Sequence, residues 1–136
     1  MSGPRVVLAA QDDALAGAWE RACGDVAEVT VHRGSILDVV CDAVVSPANS
    51  FGFMRGGVDA VYASRFGESI EKRLQERIRI RHDGELLVGT AEIVATGDAR
   101  IPWLVAAPTM RARVSKNATI RKFIELKPSA LMNETV

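Results

Sequence analysis

Asn49 and Asp59 bracket a pair of glycines, Gly56 and Gly57, within the stretch DAVVSPANSFGFMRGGVDAVYASRFG that runs from residue 42 to 67. Glycine lets a backbone approach a ligand closely, and the unpaired N–H groups of a first helical turn point at an anion. A helix opening at Val58-Asp59 behind such a loop is therefore a way to hold a phosphate. A carboxylate beside it would sit next to a phosphorylated ligand. Plainer roles fit the same residues: Asp59 is favourable at a helix N-terminus for its charge alone, and Asn49 can bond its own backbone in a turn. Gly56-Gly57 can serve a tight loop and nothing more.

The elements that must position these residues are legible around them. Ala43-Val44-Val45 reads as a buried strand feeding the turn Ser46-Pro47-Ala48-Asn49-Ser50, and a helix comes next over 58–66. Upstream, Arg5–Ala10 reads as a short buried strand. Asp12 or Asp13 can cap a helix through Cys23 with Leu15, Ala18, Trp19 and Ala22 on its apolar face, and Gly24 ends it. Alternation over Val26–His32 predicts a strand, and Gly34–Leu37 a loop. Downstream, Ile70, Leu74 and Ile78 recur at helical spacing over Ser69–Arg81, with Gly84 beyond the end. The charges of that helix read as a solvated face of Glu, Lys and Arg pairs. A strand lies within Leu86–Ala95, and Trp103–Ala107 reads as a strand buried on both faces. Trp19 and Trp103 are expected in the core; Phe51 and Phe53 suit a lid over a ligand and a plug into the core equally. Strands alternating with helices predict an α/β layered fold with a mixed sheet, in which ligands bind beyond the C-terminal ends of strands. The loop from Asn49 to Asp59 lies at such an end.

Composition narrows the functional classes. At 136 residues one domain with a genuine core is expected. The formal net charge is zero, so charge gives no reason to expect direct nucleic-acid binding. The segment from Arg111 is basic, with six Lys/Arg against two Asp/Glu, and reads as a solvated surface. Cys23 and Cys41 form no metal-spaced pair and sit in apolar segments, so buried thiols in a reducing, cytoplasmic setting are expected. His32 and His82 stand far apart without ligand partners in sequence, which predicts no metal site. No apolar run reaches the ~18 residues of a membrane span, so a soluble chain with no membrane partner is expected.

The ordered combination resembles the macro domain family of ADP-ribose-binding proteins, over roughly residues 26–111. The family has a strand, an Asn-Ala-Ala-Asn-Ser turn, a spacer, and Gly-Gly-Gly-Val-Asp opening a helix. Here the turn is Ser46-Pro47-Ala48-Asn49-Ser50 and the second part is Arg55-Gly56-Gly57-Val58-Asp59. Gly89-Thr90-Ala91 and Val94–Gly97 are similar to the family's entry into its next strand, and Trp103–Thr109 to the buried strand after that. The resemblance implies a three-layer fold with a mixed sheet flanked by helices. It also implies a role for each residue of the site. Asn49 would hydrogen-bond the distal ribose, and Asp59 would activate or orient a water for attack on the anomeric carbon. The backbone of Gly56, Gly57 and Val58 would cradle the diphosphate, Ala48 and Ser50 would line the ligand, and Ile36 would line the adenine pocket. An amide suits ribose hydroxyls, and a carboxylate within reach of a water can act as a general base. ADP-ribose, free or on a modified macromolecule, would be the ligand, with no cofactor and no metal.

The chain also departs from the family's pattern. Ser35 stands where an Asp usually reads the adenine amino group, which could shift that contact to Asp38. Ser46 replaces the first Asn of the turn, and Pro47 stiffens it. Arg55 replaces the first glycine of the triplet, where it could clash with a phosphate or pair with one. Ala63 replaces a histidine one helical turn past the Asp. All eleven glycines lie at or before Gly97, so the family's second glycine-rich loop is expected to be missing. The expected organisation is an incomplete macro-like domain over 1–111 and a divergent basic tail over 112–136. Three functions are compatible with this pattern: hydrolysis of an ADP-ribosyl bond, ADP-ribose binding without chemistry, or a remnant without a ligand.

Overall fold

A computed structural model describes residues 3–111, which fall into two compact units. Of the described residues, the first holds those up to Val45 together with Ile93–Val105; the second holds Ser46–Glu92 and Ala106–Arg111. The expected tail over 112–136 lies outside the described residues.

In the first unit, β1 (Val6–Ala10) and β2 (Val29–Arg33) pair in parallel, with Val6 opposite Val29 and Ala10 opposite Arg33. Parallel strands need a crossover, and α1 (Asp13–Cys23) supplies it. Asp12 caps α1 by accepting from the Leu15 N–H at 2.9 Å, and Gly24 closes it. The inner face differs from the expected one. Ala16 is buried, whereas Leu15 is 45% exposed and Ala22 is also exposed. Ala18 and Trp19 are half-buried, and Arg33 of β2 reaches the exposed side of α1, its guanidinium 2.8 Å from Asp13 and 2.9 Å from Glu20. The expected loop at 34–37 contains a single 3-10 turn, Ile36–Asp38, closed by a capping box. Leu37 N–H donates to Ser35 Oγ at 3.2 Å, and Ser35 N–H donates to Asp38 Oδ2 at 3.2 Å. Cys23 and Cys41 are free and half-buried rather than enclosed.

Strands β3 (Ala43–Ser46), β4 (Glu92–Ala95) and β5 (Trp103–Ala106) form a three-stranded sheet in the order β3-β5-β4. Each alternates strictly. Val44, Ser46, Glu92, Val94, Leu104 and Ala106 are buried, while Ala43, Val45, Ile93, Ala95 and Trp103 are exposed. The apolar run at Trp103 is therefore buried on one face only, and Trp103, expected in the core, is 47% exposed. A run of consecutive apolar residues does not by itself report whether both sheet faces are covered.

The second unit is built around α2 (Gly57–Phe66) and α3 (Ser69–Arg81), the latter with the expected bounds. Ile70, Leu74 and Ile78 are buried along α3, joined by Tyr62, Leu86 and Met54. Tyr62 and Phe66, one turn apart on α2, stack with ring centroids 6.0 Å apart. Past the end of α3, the N–H groups of His82 and Gly84 both donate to Ile78 O, at 3.0 and 3.1 Å.

Candidate functional site

The loop between β3 and α2 is fixed at several points. Backbone pairing continues past β3. Ala107 N–H donates to Ser46 O at 2.9 Å, Thr109 N–H donates to Ala48 O at 3.0 Å, and Asn49 forms a parallel bridge with Met110. Ser50 N–H then donates to Met110 O at 3.1 Å, and Ser50 O accepts from Leu86 N–H at 2.8 Å. Ala48 and Ser50 are buried by this pairing.

Asn49 organises the next turn. Its Oδ1 accepts from the N–H groups of Phe51 and Phe53 at 3.1 and 3.2 Å, and its Nδ2 donates to Phe53 O at 2.8 Å. These bonds make Asn49 the hub of an Asx-type turn. The turn leaves Phe51 and Phe53 half-buried. Gly52 sits at its tip with a φ of +72°, and an added Cβ would meet Ile78 Cδ1 at 3.0 Å and Leu74 Cγ at 3.2 Å. Backbone conformation and packing against α3 both demand glycine there.

Glu71 of α3 holds the next residues of the loop, a role that sequence reading missed. Its Oε2 accepts from the Met54 N–H at 2.7 Å, and its Oε1 lies 3.5 Å from Arg55 Nη2. Glu71 is one acid among several on a charge-rich helix, with nothing in the sequence to separate it from the solvated ones. Helix α2 then opens on Gly56 as N-cap without a side-chain cap, and Gly57 takes a φ of +56°. A Cβ at either glycine would meet nothing within 4 Å, so the ground beside the helix opening is clear. The N–H groups of that first turn carry the partial positive charge of the helix end.

Asp59 lies in that first turn and is 7% exposed. Ser46 Oγ donates to Asp59 Oδ1, joining the last residue of β3 to α2. Burial pushes the Asp59 carboxyl above the usual carboxylate range, outweighing the hydrogen bond from Ser46, which pulls it down. This is a base of raised affinity for a proton beside an anion-friendly helix end. Asn49, Asp59, Ala48, Ser50, Gly56, Gly57 and Val58 all belong to the second unit. Ile36 belongs to the first, where it lines an apolar cleft of about 350 Å³ with Val6, Leu8, Trp19, Val39 and Val44.

A macro domain family model matches residues 45–127, more than half of the chain. The chain belongs to the macro domain family. Macro domains generally bind ADP-ribose. An uncharacterized protein of Aquifex aeolicus is 36% identical over 97 residues, covering 70% of this chain and 55% of that protein. One of Pyrobaculum aerophilum is 30% identical over 105 residues, covering 77% and 55%. The chain thus spans about half the length of these relatives.

Among solved structures, the macrodomain of Mycobacterium tuberculosis DarG matches with a TM-score of 0.52 at 21% identity, over 61% of this chain and 53% of that one. A variant of the Oceanobacillus iheyensis macrodomain with ADPR matches with a TM-score of 0.53 at 20% identity, over 68% and 54%. These likenesses show the α/β macro fold. Among the described residues, no helix is long and apolar enough to cross a membrane.

Proposed function

We propose that this macro domain binds ADP-ribose, or ADP-ribose carried on a modified macromolecule, with the loop from Ser46 to Asp59 holding the diphosphate and the distal ribose. The uncapped opening of α2 at Gly56-Gly57 carries this reading, because no side chain caps its first N–H groups and nothing lies within 4 Å of a Cβ placed at either glycine. Val58 contributes a third backbone donor in the same turn. Asn49 uses both Oδ1 lone pairs inside its turn and keeps one Nδ2 hydrogen, enough to donate to a ribose hydroxyl. Ala48 and Ser50 support the floor of the loop. No cofactor or metal is invoked.

A thermal melt with and without millimolar ADP-ribose tests the binding. A ligand that binds only the folded state adds about 2.7 kcal/mol at a hundred times its dissociation constant, so a clear upward shift is expected. An unshifted, cooperative melt overturns the reading.

Hydrolysis of the ADP-ribosyl bond is the second reading, favoured by the buried Asp59 carboxyl and its raised proton affinity. Its Oδ2 would take a proton from a water as that water attacks the anomeric carbon, the bond from that carbon to the acceptor atom breaks with its electron pair, and the departing acceptor takes up a proton from solvent. The rate of ADP-ribose release from a modified protein should fall in both Asn49→Ala and Asp59→Ala. Unchanged rates in both remove the catalytic role and leave the binding module.

A further inference from the structure

We propose that Arg55 determines specificity in this site by pairing with the ligand's phosphates, and that Glu71 is the positioning residue that holds Arg55 in the free protein. The inference rests on the ADP-ribose reading above. Arg55 is the only cation between Ser46 and Asp59, and it directly precedes the glycine that caps α2. An anion in that loop otherwise meets two carboxylates, Asp59 and Glu71, with only helix-end amides to offset them. A guanidinium supplies the missing charge in a planar fork that matches phosphate oxygens.

The geometry leaves Arg55 able to make that contact. Its side chain is 68% exposed, and its ion pair with Glu71 is long, at 3.5 Å. A pair so placed holds its partner weakly and is easily exchanged. Nothing lies within 4 Å of a Cβ placed at Gly56 or Gly57, which leaves the guanidinium room beside the two glycines. Glu71 stays behind. It is only 17% exposed and remains fixed by the Met54 N–H at 2.7 Å. Glu71 thus has two separable effects: its hydrogen bond shapes the loop, and its charge competes with the ligand for Arg55.

Calorimetric titration with ADP-ribose and with adenosine, on the wild type and three variants, tests this. Arg55→Ala should weaken ADP-ribose binding about tenfold, the scale of one charge-assisted contact, and leave adenosine unchanged. Arg55→Lys should recover part of the loss, since it keeps the charge without the fork. Glu71→Gln keeps an acceptor for Met54 N–H while freeing Arg55, so ADP-ribose affinity should rise about threefold. A merely structural Glu71 would give a fall instead. Melts of the unliganded variants check that each is folded. If the wild type binds ADP-ribose and Arg55→Ala binds it equally well, this inference alone is overturned. A fall in affinity in Glu71→Gln overturns the competition. Failure of the wild type to bind overturns the ADP-ribose reading itself, and the role of Arg55 with it.

Discussion

Ser46 and Asp59 stand thirteen residues apart in sequence and are joined by a buried hydrogen bond, Ser46 Oγ to Asp59 Oδ1. The bond ties the end of β3 to the first turn of α2, so the loop between them is closed at its base. Its partners are both almost fully buried, at 0% and 7% exposure. Ser46 is therefore more than a replacement for the family's asparagine. It is the donor that makes a buried carboxylate tolerable.

Removing that donor should cost more than an ordinary hydrogen bond, because Asp59 would be left buried without a partner. Ser46→Ala is expected to destabilise the protein by ~1–3 kcal/mol, the cost of an orphaned buried polar group. Denaturant unfolding monitored by circular dichroism checks it. The same change removes the one influence that lowers the Asp59 carboxyl, so its proton affinity should rise further.

Asp59 gives the stability a distinctive pH dependence. Burial raises its carboxyl in the folded state, so between the ordinary carboxylate range and the raised value the unfolded chain ionises first. Its contribution is therefore most favourable at low pH and is lost as pH climbs through that window. Asp59→Asn keeps an oxygen for Ser46 Oγ but cannot ionise. It should be more stable than the wild type near neutral pH, by roughly 1 kcal/mol on the scale of burying an incompletely compensated polar group. The advantage should vanish in acid. Melting temperatures of the two proteins from about pH 4 to about pH 8 test the sign, and an advantage that grows on acidification would refute the assignment.

The sequence displayed what periodicity and capping encode, and concealed what depends on tertiary contact. The bounds of α3 were legible because Ile70, Leu74 and Ile78 mark one helical face and Gly84 lies past the end. The bounds of the loop between β3 and α2 were legible because a strand pattern runs into a Ser-Pro turn and paired glycines precede the helix. The buried face of α1 was not, because small residues carry it: Ala16 is buried while Leu15 is exposed, and hydrophobicity ranks them the other way. Trp103 shows the same limit, since hydrophobicity alone does not say which sheet face is covered. Glu71 was hidden for a third reason: its partner is a backbone N–H, and every residue but proline has one. Glu92 is comparable. It is buried in β4 yet sits 2.8 Å from His82 Nε2, with Arg81 Nη1 at 3.5 Å and Arg77 Nε at 3.7 Å.

Two glycines of the loop should respond differently to alanine. Gly52→Ala meets both an unfavourable φ of +72° and the side chains of Ile78 and Leu74, so it should cost about 2–4 kcal/mol. Gly57→Ala meets only the φ of +56°, with open space around the new methyl, and should cost ~1 kcal/mol. Chemical denaturation of both variants decides it. Equal losses would mean that packing of Gly52 on α3 contributes nothing.

Glu92 offers a test of burial rather than of the site. Its carboxylate is 5% exposed and is surrounded by His82, Arg81 and Arg77. Removing it would leave His82, the least exposed of the three, without its close partner, while Arg77 and Arg81 are about half exposed and stay hydrated, so Glu92→Ala should cost about 1–2 kcal/mol. Glu92→Gln, which keeps the hydrogen bond to His82 but not the charge, should cost less. Because the ADP-ribose reading assigns Glu92 no ligand contact, ADP-ribose affinity of the folded Glu92→Gln variant should match the wild type.

Asn49 carries both a structural and a ligand role, and two substitutions separate them. Asn49→Ala loses all three bonds of the turn and should cost about 2–3 kcal/mol, since each contributes about 1. Asn49→Asp keeps an oxygen for the N–H groups of Phe51 and Phe53 and loses only the donation to Phe53 O, so its fold should suffer less. It also brings a negative charge to the loop and removes the remaining amide hydrogen that the ribose would accept. If Asn49 touches the ligand, Asn49→Asp should retain most of the stability and lose at least about tenfold in ADP-ribose affinity. A variant that loses stability and affinity only in proportion would mean that Asn49 acts through the turn alone. Parallel unfolding curves and ligand titrations on the two variants distinguish these outcomes.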